Sequence, residues 1–175
     1  MSNLYIFRGK SATGKTLLTS LLSKELNICV LRKDDIFDPL SVYLDNNSVN
    51  NNACYDILAS LVQKNIDNNV DVILDISLPH NEYYKLFLSK ISLKDIKIFS
   101  FLCDCSNEEL WLSRWMKRLE NPLPNQYFKS IEEIKNHYSK MNIALIENEC
   151  YIDSIYDVEQ LLSEIYSFIK LNKAI

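Results

Sequence analysis

Short apolar runs and longer amphipathic segments take turns along the chain. Leu4 to Phe7 ("LYIF") form the first run, the right length for a buried strand. Leu17, Leu18, Leu21, Leu22 and Leu26 then recur at the spacing of one helix face. Ile28 to Leu31 ("ICVL") predict a second strand, and the polar "DNNSVNNN" behind it reads as a surface loop. Tyr55, Leu58, Leu61, Val62 and Ile66 mark another helix face. "VDVILDI" is a third strand, with Val70, Val72, Ile73 and Leu74 suited to burial on both sheet faces. "NEYYKLFLSKI" is helical and "IKIFSFLCD" is a fourth strand. "SNEELWLSRWMKRL" is helical, with Ser106 and Glu109 at capping-box spacing. Pro122 and Pro124 break that helix, and Ser130 with Glu133 opens another. "CYID" predicts a short fifth strand, and Val158, Leu161, Leu162, Ile165 and Ile169 close the chain as a helix.

This βαβα series predicts a parallel sheet with helices on both faces. In such sheets, ligands bind outside the carboxyl ends of the strands. The residues just past each strand are therefore the ones to read for chemistry.

Composition narrows the class. The chain has 175 residues, 47% of them hydrophobic, which suits one globular domain spanning 1–175. The net charge of −4 and a pI near 5.2 argue against a long nucleic acid as partner. There is no visible signal peptide and no apolar run approaching the roughly 20 residues of a membrane helix. Five scattered cysteines suggest reduced thiols rather than a disulfide framework. A cytoplasmic protein is expected. Cys103 and Cys105 read better as small apolar fillers of a strand than as metal ligands.

Glycine is the compositional outlier. The chain has two, Gly9 and Gly14, where about a dozen would be usual. Both fall in "GKSATGKT" directly behind the first strand, a full match to G-x-x-x-x-G-K-[ST]. In this loop Ser11, Ala12, Thr13, Gly14, Lys15, Thr16 and Leu17 would surround a phosphate chain, helped by the helix N-terminus. Gly9 would allow the exit from the strand, and Gly14 a close backbone approach. Lys15 would bridge the outer phosphates and Thr16 would ligate Mg²⁺.

Behind the second strand stand Asp34 and Asp35. They fit either a helix cap or a carboxylate that takes the proton from an attacking hydroxyl. Behind the third strand come Asp75 and Ser77. Asp75 suits Mg²⁺, the acceptor, or a structural cap. His80 is a lone turn histidine. Behind the fourth strand, Arg114 and Arg118 share one helix face. They read as a solvated face, or as the base of a flap at about 114–128 whose arginines close over a nucleotide. Trp111 and Trp115 read as core.

These motifs resemble the small P-loop kinases of the nucleoside- and nucleotide-kinase type. Among them, the chain looks similar to the phage polynucleotide 5′-hydroxyl kinase domain, chloramphenicol phosphotransferase and zeta-toxin-like kinases. The resemblance rests on "GKSATGKT", "KDD", "VILDISLPHNEYYKLF" and "LSRWMKRLENPLP", and it covers nearly the whole chain. It implies a three-layer α/β/α fold with a five-stranded parallel sheet ordered 2-3-1-4-5. It implies ATP and Mg²⁺ as cofactors, with Thr16 and Asp75 near the metal. Asp34 would be the general base, Arg114 would lie near the adenine and Arg118 at the phosphates. Asp35, Phe37, Asp75 and Ser77 would face the acceptor. Phe37 stands where polynucleotide kinases carry an arginine that grips the acceptor's phosphate. That departure turns the expectation toward a small-molecule acceptor with a free hydroxyl. A 5′-hydroxyl polynucleotide and a nucleotide-binding regulatory or toxin-type protein are the alternatives.

Overall fold

The computed structural model describes residues 2–173. Five strands form one parallel sheet in the order β2-β3-β1-β4-β5. The strands are β1 (Ser2–Gly9), β2 (Val30–Arg32), β3 (Val72–Asp75), β4 (Ile96–Asp104) and β5 (Glu149–Asp153). The helices are α1 (Lys15–Leu26), α2 (Lys33–Leu40), α3 (Asn47–Asp67), α4 (Asn81–Leu88), α5 (Glu108–Arg118), α6 (Ile131–Ser139) and α7 (Val158–Lys173).

β1 sits in the middle, between β3 and β4. Alternate side chains of a strand point to opposite faces, and β1 supplies both cores. Leu4 and Ile6 pack with Leu58 and Val62 of α3 and with Tyr84 and Phe87 of α4. Tyr5 and Phe7 pack with Leu18 and Leu22 of α1 and with Leu161 and Ile165 of α7. Tyr5 stacks on its register neighbour Phe99 at 5.0 Å, and Phe7 on Phe101 at 4.6 Å. Cys103 belongs to the second of these cores. Ala12, Cys105, Trp111, Trp115 and Ile134 form a third, smaller cluster under the glycine loop.

Three local expectations need correction. The asparagine-rich stretch is not a loop: α3 begins at Asn47. Asn46 caps it, its side chain accepting from the Ser48 and Val49 amides at 3.1 Å each. Asn50 is fully buried and donates to the Leu44 carbonyl at 2.8 Å. Local side-chain bonds thus let residues of low helix propensity open a helix. Second, α5 is capped by Asn107, which accepts from the Leu110 amide at 2.9 Å, rather than by Ser106. Third, Val70 is exposed and precedes the strand, while Val72, Ile73 and Leu74 are buried. Ser130 does cap α6.

The scarcity of glycine is resolved by asparagine and aspartate. Asn27, Asn69, Asp95 and Asn148 all adopt left-handed conformations with φ between 56° and 59°. These are the residues that visit that region most readily after glycine.

Candidate functional site

Both glycines remain where their lack of a side chain is needed, for different reasons. Gly9 lies opposite Cys103 in the β1–β4 register, with φ of +141°. A Cβ there would stand 2.0 Å from the Cys103 carbonyl oxygen. Gly14 caps α1 with φ of +82°, and its nearest neighbour to a Cβ would be Ser154 at 3.9 Å. Gly9 therefore permits close strand packing, and Gly14 permits a backbone turn. Ala12 is also left-handed, with φ of 61°. Such alternation points backbone N–H groups inward and forms an anion-binding concavity.

The loop is gripped from outside. The Trp111 indole donates to the Ser11 carbonyl at 2.8 Å. The Ser11 amide donates to the Tyr138 hydroxyl at 2.9 Å. Inside, the Thr13 hydroxyl donates to the Lys10 carbonyl at 2.9 Å. Lys15 is buried, and its ammonium donates to the Gly9 carbonyl at 3.0 Å and to the Lys10 carbonyl. Burial lowers its pKa, and Asp75 is the main opposing influence.

Asp75 ends β3 and is 7% exposed. The Thr16 hydroxyl donates to its Oδ2 at 2.8 Å. Arg32, at the end of β2, approaches the same oxygen at 4.0 Å. Asp34 lies in the first turn of α2, half-exposed and 3.6 Å from the Lys33 ammonium. Burial raises its pKa, Lys33 opposes the shift and Asp75 adds to it.

A cleft brings most of the expected residues together. Ser11 to Thr16, Asp34, Asp75, Ser77 and Arg118 all line it. Asp35 is held instead beside Arg32, at 3.6 Å. Phe37 is fully buried, with the Lys33 ammonium 3.7 Å above its ring. It does not line the cleft, so it does not face an acceptor as expected. His80 caps α4, its Nδ1 accepting from the Glu82 amide at 3.2 Å.

Leu17 and Arg114 lie elsewhere, around a separate cavity of 290 Å³ on the α7 side of the loop. Arg118 and Gly14 line both spaces. Arg114 donates to Ser154 Oγ and to the Ser154 carbonyl, both at 2.9 Å. Exposed Tyr156 lines the same cavity. Ser154 and Tyr156 are additions to the expected set. They follow the fifth strand, so the rule applied behind the first four strands would have found them. Asp38 is another: both its oxygens bind Asn125 at 2.9 Å, tying α2 to the segment at 119–130. That segment follows α5, whose last turn holds Arg118, with Arg114 one turn earlier.

The family described as "AAA domain" matches residues 4–136, which includes the loop, Asp34, Asp75 and both arginines. The chain belongs to that family. Solved structures share its P-loop fold at low identity. A sugar kinase from Janibacter is 16% identical, with a TM-score of 0.72 over 97% of this chain and 95% of that one. A gluconokinase from Sinorhizobium meliloti is 10% identical, at 0.69 over 98% and 94%. A shikimate kinase from Aquifex aeolicus is 20% identical, at 0.61 over 98% of both. These matches do not single out the phage polynucleotide kinase or chloramphenicol phosphotransferase groups. No curated protein sequence matches the chain. Among the described residues, no helix is long and apolar enough to cross a membrane.

Proposed function

We propose that the chain is an ATP- and Mg²⁺-dependent kinase that transfers the γ-phosphoryl group to a hydroxyl of a small molecule. The observation that carries this reading is one cleft lined by Lys15, the Thr16–Asp75 pair, Asp34 and Arg118. The kinase names of the structural neighbours agree with it.

In this reading the acceptor oxygen attacks the γ-phosphorus, and the bond to the β-phosphate oxygen breaks to release ADP. The hydroxyl proton passes to Asp34. A carboxyl group whose pKa is raised is a better proton acceptor than an ordinary one, provided it is ionised at the working pH. The ammonium of Lys15 exchanges its two carbonyl partners for phosphate oxygens. Arg118 neutralises charge on the transferring group. The cavity beside Arg114, Ser154 and Tyr156 receives the nucleotide base. Thr16 and Asp75 supply hard oxygen donors within 2.8 Å of each other, a set that suits Mg²⁺ completed by phosphates and water. Bound there, the ion would neutralise phosphate charge. The flap of this reading is the stretch at about 114–128, the end of α5 and the segment behind it.

The test is ADP release from ATP across a panel of hydroxyl compounds, with a 5′-hydroxyl oligonucleotide included. Asp34→Asn is expected to keep its ATP affinity and lose turnover about 100-fold or more. Near-normal turnover in that variant would remove Asp34 from the role. ATP binding without any acceptor that stimulates ADP release would favour a regulatory protein.

A further inference from the structure

Beside the cleft lies a second chamber of 400 Å³ lined by α3 and α4, a volume within the usual range for small-molecule sites. The two spaces adjoin: Asn51, Tyr55, Ser77, Tyr127, His137 and Met141 line both. Leu78, Tyr83, Leu86 and Phe87 line the chamber alone. Tyr83 and Leu86 are 57% and 59% exposed at its mouth, a large apolar surface for one short helix. The Tyr55 hydroxyl donates to the Ser77 carbonyl at 3.0 Å, and its ring meets Phe87 edge-on at 6.0 Å. Its phenol is thereby fixed.

Charge narrows the class of occupant. Among the described residues, Lys90 is the one lysine or arginine lining the chamber. Its ammonium is already paired with Asp56. His80 Nδ1 already accepts from the Glu82 amide. Burial lowers the pKa of His137, which favours its neutral form. An anionic acceptor would leave water for a site without a free cation, at a large desolvation cost. No carboxylate lines the chamber among the described residues, so a cationic acceptor also lacks a partner. Aromatic rings with a few amides and imidazoles suit a flat, uncharged body.

Resting on the kinase reading above, we infer that the acceptor is an uncharged alcohol carrying a planar ring. The ring lies among Tyr55, Tyr83, Tyr127 and Phe87, and the hydroxyl extends past Asn51 and Ser77 toward Asp34. This class differs from the sugar acids, whose carboxylate would find no counterion here.

The test uses thymidine and pyridoxine as ring-bearing alcohols, and gluconate and shikimate as anionic ones. Each is measured by calorimetric binding and by ADP release from ATP. The expected result is binding of at least one ring alcohol, stimulated ADP release by it, and none from the anions. Tyr83→Ala is then expected to raise the KM of that alcohol about tenfold, with kcat within about twofold. Tyr83 is exposed, so its loss leaves the core intact; Leu86→Glu provides a second variant with the same expectation. If gluconate or shikimate is the better acceptor, the inference falls while the kinase reading stands. If no ring alcohol binds, the inference falls too. Binding that depends on Tyr83 with no ADP release would keep the chamber's assignment and overturn the kinase reading.

Discussion

The two sides of the cleft are held in place by different means. On one side, the loop from Gly9 to Thr16 is fixed by backbone: a register contact with Cys103, left-handed turns at Ala12 and Gly14, and clamps from Trp111 and Tyr138. On the other, side chains from α2, α3, α4 and the 119–130 segment form a wall joined by contacts such as Asp38 with Asn125. In the proposed kinase reading, the first side meets phosphate, whose shape and charge are the same in every nucleotide, and the second meets the molecule that carries the hydroxyl. A backbone cradle is hard to vary and a side-chain wall is easy to vary, so the two sides should respond differently to substitution.

Gly9→Ala should have the largest effect. The new Cβ would meet sheet backbone at 2.0 Å, so a loss of about 3 kcal/mol or more is expected, read by denaturant unfolding. Gly14→Ala has space at its Cβ and should cost only about 1–2 kcal/mol of conformational strain. Its main result should be lost ATP binding with a folded chain. If the two variants were equally destabilised, the distinction between packing and turning would fail.

Next comes pH. The raised pKa of Asp34 places the acid limb of kcat/KM above the ordinary carboxylate value. Activity should fall as pH drops through that point, because the protonated carboxyl group cannot accept a proton. Asp34→Asn should remove the limb from the residual activity. The stability sign is opposite to that of a salt-bridged acid. A raised folded pKa favours folding at low pH, and that gain is lost as pH rises through it. Asp34→Asn should therefore not destabilise the chain at neutral pH. A variant markedly less stable there would show that Asp34 is structural.

The smallest effect belongs to the outer wall. Asp38→Ala removes the hold on Asn125. With about 1 kcal/mol at stake, acceptor KM should rise roughly fivefold. ATP affinity should stay unchanged; a matching loss there would mean that the two sides move as one.

The same division governs what could be read from sequence. "GKSATGKT" is contiguous, so its chemistry is legible in eight letters. Asp34, Asp75, Arg114 and Arg118 each follow a strand, and a parallel sheet brings such positions to one end. The chamber between α3 and α4 has no such signature. Asn51, Tyr83 and Tyr127 come from α3, α4 and the segment after α5, and no spacing links them. The helical start of α3 was hidden because Asn46 and Asn50 act through partners that intrinsic propensity does not count. The Tyr138 clamp was hidden by distance along the chain, since 127 positions separate it from Ser11.

Arg8, fully buried one residue before the loop, has a further consequence. Its guanidinium grips Glu149 on β5 at 2.6 Å, the Pro79 carbonyl at 2.8 Å and the Ala144 carbonyl at 2.9 Å. Pro79 belongs to the lining of both the cleft and the chamber. The phosphate loop and the chamber floor thus share one anchor, like the fixed jaw of a vice. The opposite wall, from α2 and the 119–130 segment, is tied across by Asp38 and Asn125 instead. In the proposed kinase reading, substitutions on that wall would change the acceptor while the Arg8 anchor keeps the loop and the chamber floor in register.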